Sequence, residues 1–205
     1  MDTITRRLSM LKFGLLTVCL WQLGPGIASA LPGQSVSEVK TWMQAHPTLR
    51  AQSQERLRVH RVETPARRFT FQASVFPIGG LQTSSGLRLS DPPQLNTIRR
   101  EEFTLVDYSS PVDRERLEAA LRIIYGAEIH ADYQRASLVV SYPDDGFAPG
   151  PRGEVWAGER YAYWTELVPD ETGFAAIGKL NLLPVEDISR LQSYLQRQSA
   201  ASVEL

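Results

Sequence analysis

The chain has 205 residues, 42% of them hydrophobic and 22% charged, which are the proportions of a folded globular domain and not of a disordered tail. Its 22 basic and 23 acidic residues leave a net charge of −1, which excludes the broadly basic surface that general nucleic-acid binding requires. A single cysteine, Cys19, excludes an intrachain disulfide and any metal site built from several thiolates.

The chain opens with three zones. Arg6, Arg7 and Lys12 form a positive front, residues 13–23 are mostly apolar, and Ala28-Ser29-Ala30 offers small residues at a cleavage site. This is the order of a secretory signal peptide cut after Ala30. A retained anchor would need roughly 20 apolar residues, and Gln22, Gly24, Pro25 and Gly26 break the run well before that. Thr5-Arg6-Arg7 followed by Leu11-Lys12 resembles a twin-arginine export signal, although Ser9 stands where that pattern has a large apolar residue. Val18 before Cys19 is wrong for a lipoprotein cleavage box. The expected organisation is an export peptide at 1–30, one domain at 31–197 and a frayed tail at 198–205. Cleavage would remove the only thiol and leave 19 basic and 22 acidic residues, with no run long enough to span a membrane.

The first expected element is a helix. Ser35 with Glu38 three residues on is a capping-box pattern, Val36, Val39 and Met43 recur at helical spacing, and Pro47 stops the helix near Ala45. Trp42 lies beside the stripe as an anchor. The pattern then changes to period two. Leu57 and Val59 alternate with Arg56, Arg58 and His60, and Phe69, Phe71, Ala73 and Val75 alternate with Arg68, Thr70, Gln72 and Ser74. These are two strands of a hairpin. An odd loop at 62–66 keeps the apolar faces together by pairing Val59 with Phe69 and Leu57 with Phe71, because a one-residue slip would turn the apolar set outward.

Residues 77–96 are rich in Gly, Ser and Pro and read as a long loop, either functional or disordered. Residues 101–110 supply a third strand. Ser110 with Pro111 looks like an N-cap followed by Pro at the first helical position, and Leu117, Ala120, Leu121 and Ile124 form the clearest helical stripe, ended by Gly126. Strands follow at 136–142 and within 154–183, with turns at 157–159 and 170–173. A closing helix presents Val185, Ile188, Leu191 and Leu195 on one face. Helices mixed with hairpins, without a βαβ repeat, give an α+β domain: a mostly antiparallel sheet with about three helices packed on one face.

No His-Glu-x-x-His, Gly-x-Ser-x-Gly, phosphate loop or dinucleotide fingerprint occurs. His46, His60 and His130 never stand at i, i+4, and His130 with Asp132 shares at most one strand face, so no three-ligand metal centre is legible. Pro143-Asp144-Asp145-Gly146 reads as a turn. No catalytic residue, metal or cofactor is therefore assigned. Two constellations remain as candidate binding surfaces. Arg56, Arg58 and His60, opposite Gln72, Thr70 and Arg68, place three guanidiniums on one sheet face, a chemistry suited to carboxylates. Trp156, Tyr161, Tyr163 and Trp164 concentrate four large aromatics in nine residues, with Arg160 beside them, which is the composition of an interaction hot spot.

Pro32-Gly33-Gln34-Ser35, Glu38-Val39, Trp42 and Tyr161-x-Tyr163-Trp164 resemble small exported proteins of cyanobacteria with no assigned activity. The resemblance implies a periplasmic or thylakoid-lumenal location and carries over no catalytic residue. The opening Gly-x-Ser-x-x-Glu-Val helix is also similar to small envelope α+β modules that bind other proteins. The expectation is an exported, non-enzymatic binding or assembly module whose partner is an envelope or lumenal protein with an acidic patch, not nucleic acid. The alternatives are a small-ligand binder with a pocket between helix and sheet, and a hydrolase using scattered carboxylates with His60 or His130.

Overall fold

The computed structural model describes residues 31–49, 57–78, 96–143 and 150–203, with the backbone alone for 199–203. The expected export segment 1–30, Arg56, Asp144, Asp145 and most of the 77–96 loop lie outside the described residues. The elements run α1 (Val36–Ala45), β1 (Arg58–Thr64), β2 (Arg67–Ser74), β3 (Arg100–Asp107), α2 (Arg114–Arg135), β4 (Ser137–Tyr142), β5 (Arg152–Ala157), β6 (Tyr161–Pro169), β7 (Ala175–Pro184) and α3 (Ile188–Val203), the last entered through a 3₁₀ turn at Val185–Asp187. This is the order expected from the alternation of periods. α3 continues to Val203, into the stretch expected to fray.

The sheet has seven strands in the order β1-β2-β3-β7-β6-β5-β4. Every neighbouring pair is antiparallel. Two meanders, β1–β3 and β4–β7, meet at the β3–β7 pair. Along each strand, side chains alternate between the two faces.

Local chemistry explains the helix ends. The Ser35 hydroxyl accepts the Glu38 N–H at 3.2 Å while the Glu38 carboxylate accepts the Ser35 N–H at 2.8 Å, which is the full capping box. α2 begins later than expected, because its N-cap is Asp113 and not Ser110. Asp113 accepts the Arg116 N–H at 2.9 Å. Val112 is drawn into the core instead, donating its N–H to Ala175 O at 2.7 Å. Gly126 does not end the element. It adopts φ 84° and ψ −176°, a conformation open to glycine, which kinks α2 and lets a second segment run to Arg135. His130 and Asp132 therefore lie on a helix, not a strand, because buried Ile129 and Tyr133 repeat at helical spacing beyond the kink.

The helices divide between the faces. Val39, Trp42 and Met43 of α1 and Leu117, Leu121, Ile124, Tyr125, Ile129 and Tyr133 of α2 pack with Phe71, Phe103, Leu180, Leu182 and Tyr163. Leu191 and Leu195 of α3 pack with Val155, Ala162, Trp164 and Leu183. Ala162, Trp164 and Leu183 have the opposite parity to Tyr163 and Leu182, so they face the other way. The expectation of three helices on one face is thus corrected. Helix periodicity reveals an apolar stripe but not which side of the sheet receives it.

The hairpin register is also corrected. Val59 pairs with Phe71, Arg58 with Gln72, His60 with Thr70 and Val62 with Arg68. The turn contains only Pro65 and Ala66, and a bulge between Val62 and Thr64 restores the parity that a two-residue loop would invert. Apolar still meets apolar, two residues along from the pairing expected.

Candidate functional site

β1 has no neighbour on its outer side among the described residues. The Ala73 N–H donates to Leu57 O at 2.7 Å, which sets the phase of the ladder. In an antiparallel pair, hydrogen-bonded and non-bonded positions alternate. Leu57, Val59 and Arg61 therefore turn their backbone groups toward β2, and Arg58, His60 and Val62 turn theirs outward.

The side chains of Arg58, His60 and Arg68 share the sheet face opposite α1 and α2, as the alternation required. His60 Nδ1 lies 2.8 Å from Thr70 Oγ1. Gln72 donates to Glu102 at 3.0 Å. Arg58 and Arg68 are exposed, and neither pairs with an acid among the described residues. Arg56, the third guanidinium of the expected set, lies outside the described residues.

The opposite face of the hairpin carries cations that sequence reasoning missed. Arg61 donates to Leu49 O at 2.9 Å. Arg67 and Arg116 both pair with Asp107, at 3.1 and 2.9 Å, and Arg116 also donates to Pro111 O at 2.8 Å. Burial would push the Asp107 carboxyl up. Bonds from the Ser109 N–H, Arg116 and the Ser110 N–H, with the Arg67 charge, outweigh this and hold it at about 2. A cavity of about 200 Å³ opens here between the hairpin and α2. Arg61, Glu63, Arg67, Arg68 and Arg116 contribute to its lining together with Phe69, Leu105, Ala120, Ile123 and Ile124. One signal was available: Arg61 occupies the core-facing parity of β1, and a charge there marks the rim of a core.

The aromatic strand turns its rings inward. Tyr161 and Tyr163 are buried on the α1 and α2 side and Trp164 on the α3 side, because both faces of β6 are covered. Tyr163 donates to Asp132 at 2.6 Å, and Asp132 also accepts the Glu159 N–H at 3.0 Å, tying α2 to the β5–β6 turn. Trp156 is half-buried under the Arg114 guanidinium, 4.4 Å from its ring, and donates its N–H to Glu154 at 3.0 Å. Arg160 pairs with exposed Glu128.

The acid/base candidates do not converge. His46 accepts the Thr48 N–H and bonds Ile124 O, and burial lowers its pKa. His130 stands 3.6 Å from Glu118. No group of three His, Cys, Asp or Glu able to hold a metal occurs among the described residues. Glu101 of β3 is the unusual carboxyl. It is completely buried, neither oxygen has a hydrogen-bond partner among the described residues, and burial raises its pKa to about 8, offset in part by nearby Tyr125. It lies in the core and does not line the cavity beside the hairpin. No described helix is long and apolar enough to cross a membrane. Compared with family models, curated proteins and solved structures, the chain matches none of them.

Proposed function

We propose that this chain is an exported binding or assembly module that acts by protein contact, and that the β1–β2 hairpin is its contact surface. One observation carries the reading: Arg58 and Arg68 stand exposed and without an acidic partner among the described residues, on one sheet face with His60 between them. Guanidiniums left free in this way offer bidentate sites to carboxylates. From Arg58 to Arg68 the hairpin holds four arginines against one acid, Glu63, within a chain that is acidic in sum. The partner is an envelope or lumenal protein with an acidic patch, met in the periplasm or thylakoid lumen after residues 1–30 are removed.

Affinity capture from the native compartment tests this reading. The wild-type chain retains a partner that Arg58→Ala with Arg68→Ala loses. Retention of the same partners by the double variant overturns it. N-terminal sequencing of native material tests export, with Leu31 expected as the first residue and Met1 contradicting it. The cavity beside Arg61 and Arg116 favours a second reading, a binder of small amphiphilic carboxylates. Short-chain fatty acids titrated against the chain, with Ile123→Glu as the comparison, distinguish it from contact through Arg58 and Arg68.

A further inference from the structure

We infer that the partner binds as an added β-strand along β1, and that it alternates acidic with apolar residues. This rests on the hairpin being the contact surface and specifies how that contact is made. The outward backbone groups belong to Arg58, His60 and Val62, the same residues whose side chains lie on the free cationic face. An incoming antiparallel strand would pair residue for residue with these three, and directly opposed residues share a sheet face. Its residues opposite Arg58 and His60 therefore stand beside those two side chains, with the Arg68 charge one strand further in on the same face, where carboxylates are complementary. The intervening residues turn to the other face, where the one opposite Val59 meets an apolar side chain and the next meets Arg61 at the rim of a cavity lined by both charged and apolar groups. Val62 is 56% exposed and offers an apolar contact at the end of the run.

Charge on an edge strand also has a protective use, since it discourages copies of a chain from pairing with one another. The two roles separate experimentally. The probe is a labelled eight-residue peptide of alternating Glu and Val, titrated against the purified chain by fluorescence anisotropy at low and high salt. The parent peptide binds, and binding weakens with salt. N-methylation of the Glu amides weakens it at least tenfold, because those amides face β1, whereas N-methylation of the Val amides leaves it within about twofold. Arg58→Ala with Arg68→Ala also weakens it at least tenfold, with an unchanged circular dichroism spectrum confirming the fold.

If both methylated peptides bind like the parent while the arginine variant weakens, the cationic face is the contact and strand addition is wrong. If the variant binds the parent unchanged and instead self-associates, the arginines only guard the edge and the contact surface itself is wrong. Absence of binding by the parent peptide overturns the strand-addition mode, and capture of a native partner lost in the arginine variant would still support the surface.

Discussion

The two edges of the sheet are blunted by different devices. β1 carries Arg58, Arg61 and Glu63, so a copy of the chain approaching it meets charge. β4 carries no ionisable group except Tyr142, and it leaves Leu138 50% and Val139 38% exposed. Its protection is geometric. A bulge between Leu138 and Val140 breaks the ladder, and the Tyr142 ring lies across Gly153 of β5, where a Cβ would collide with it. Charge can be matched by a partner of opposite sign, whereas a bulge repels strands of every kind. The edge that is guarded chemically is therefore the one suited to recognition.

The largest expected effect lies between the edges and asks whether they respond to a common core. Glu101 sits in a cross-sheet row with Ala73, Leu182, Tyr163, Trp156 and Leu138, which reaches the β4 edge at one end and Leu57, just before β1, at the other. Its carboxyl stays neutral in the folded chain up to about pH 8, while in the unfolded chain it ionises near 4.5. Stability therefore falls as pH rises through that window, and the full cost is present above it. Each pKa unit is worth about 1.4 kcal/mol, so the loss is on the order of 5 kcal/mol. Glu101→Gln removes this slope. Thermal unfolding at pH 5 and pH 9 should show the wild type losing stability that the variant keeps. Tyr125 and Tyr161 are the tyrosines that feel this charge, and both have raised pKa values, so they stay neutral across the window. Parallel pH profiles would show that the carboxyl is solvated.

Next in size are two changes at the β4–β5 pair. The Tyr142 hydroxyl accepts the Trp164 N–H at 2.7 Å and donates to Glu166 at 3.3 Å. Glu166 in turn pairs with Lys179 at 3.0 Å. Gly153→Val expels the Tyr142 ring and should cost about 3 kcal/mol, as forced overpacking does. Tyr142→Phe keeps the ring and strands the Trp164 donor, costing about 1–2 kcal/mol. Denaturant unfolding measures both, and amide exchange should show protection lost in β4 while β1 keeps its own. Equal loss at both edges would mean that the tether is not local to β4.

Much of this contrast was legible in the sequence, for identifiable reasons. Periods of two and 3.6 gave the element order, and parity alone placed Arg58, His60 and Arg68 together. The exact partners were not legible, because the bulge at Glu63 and the Pro65-Ala66 turn shift the ladder by two without disturbing parity. Gly126 read as a stop, since a glycine that ends a helix and one that kinks it look alike until Ile129 and Tyr133 are seen to pack. Arg67, Arg116 and Asp107 come from three separate elements, and convergence of that kind leaves no periodic trace. The aromatic cluster misled for a related reason. Its composition suits an exposed contact, and only the placement of α3 on the far face shows that Trp164 is covered.

The smallest effect on stability is the most informative about the edges. Arg58→Ser with Arg68→Ser removes two exposed cations that no described acid opposes, so unfolding free energy should change by no more than about 0.5 kcal/mol. The surface left behind has outward backbone groups at residues 58, 60 and 62, exposed Val62 and no guanidinium on that face of β1. Such an edge pairs readily with copies of itself. Sedimentation velocity should show concentration-dependent association in the double variant and none in the wild type. Adding charge at the other edge, as Val139→Lys, should change neither stability nor association, because the bulge already closes β4. If the double variant stays monomeric, charge is not what guards β1, and the chemical contrast between the edges disappears.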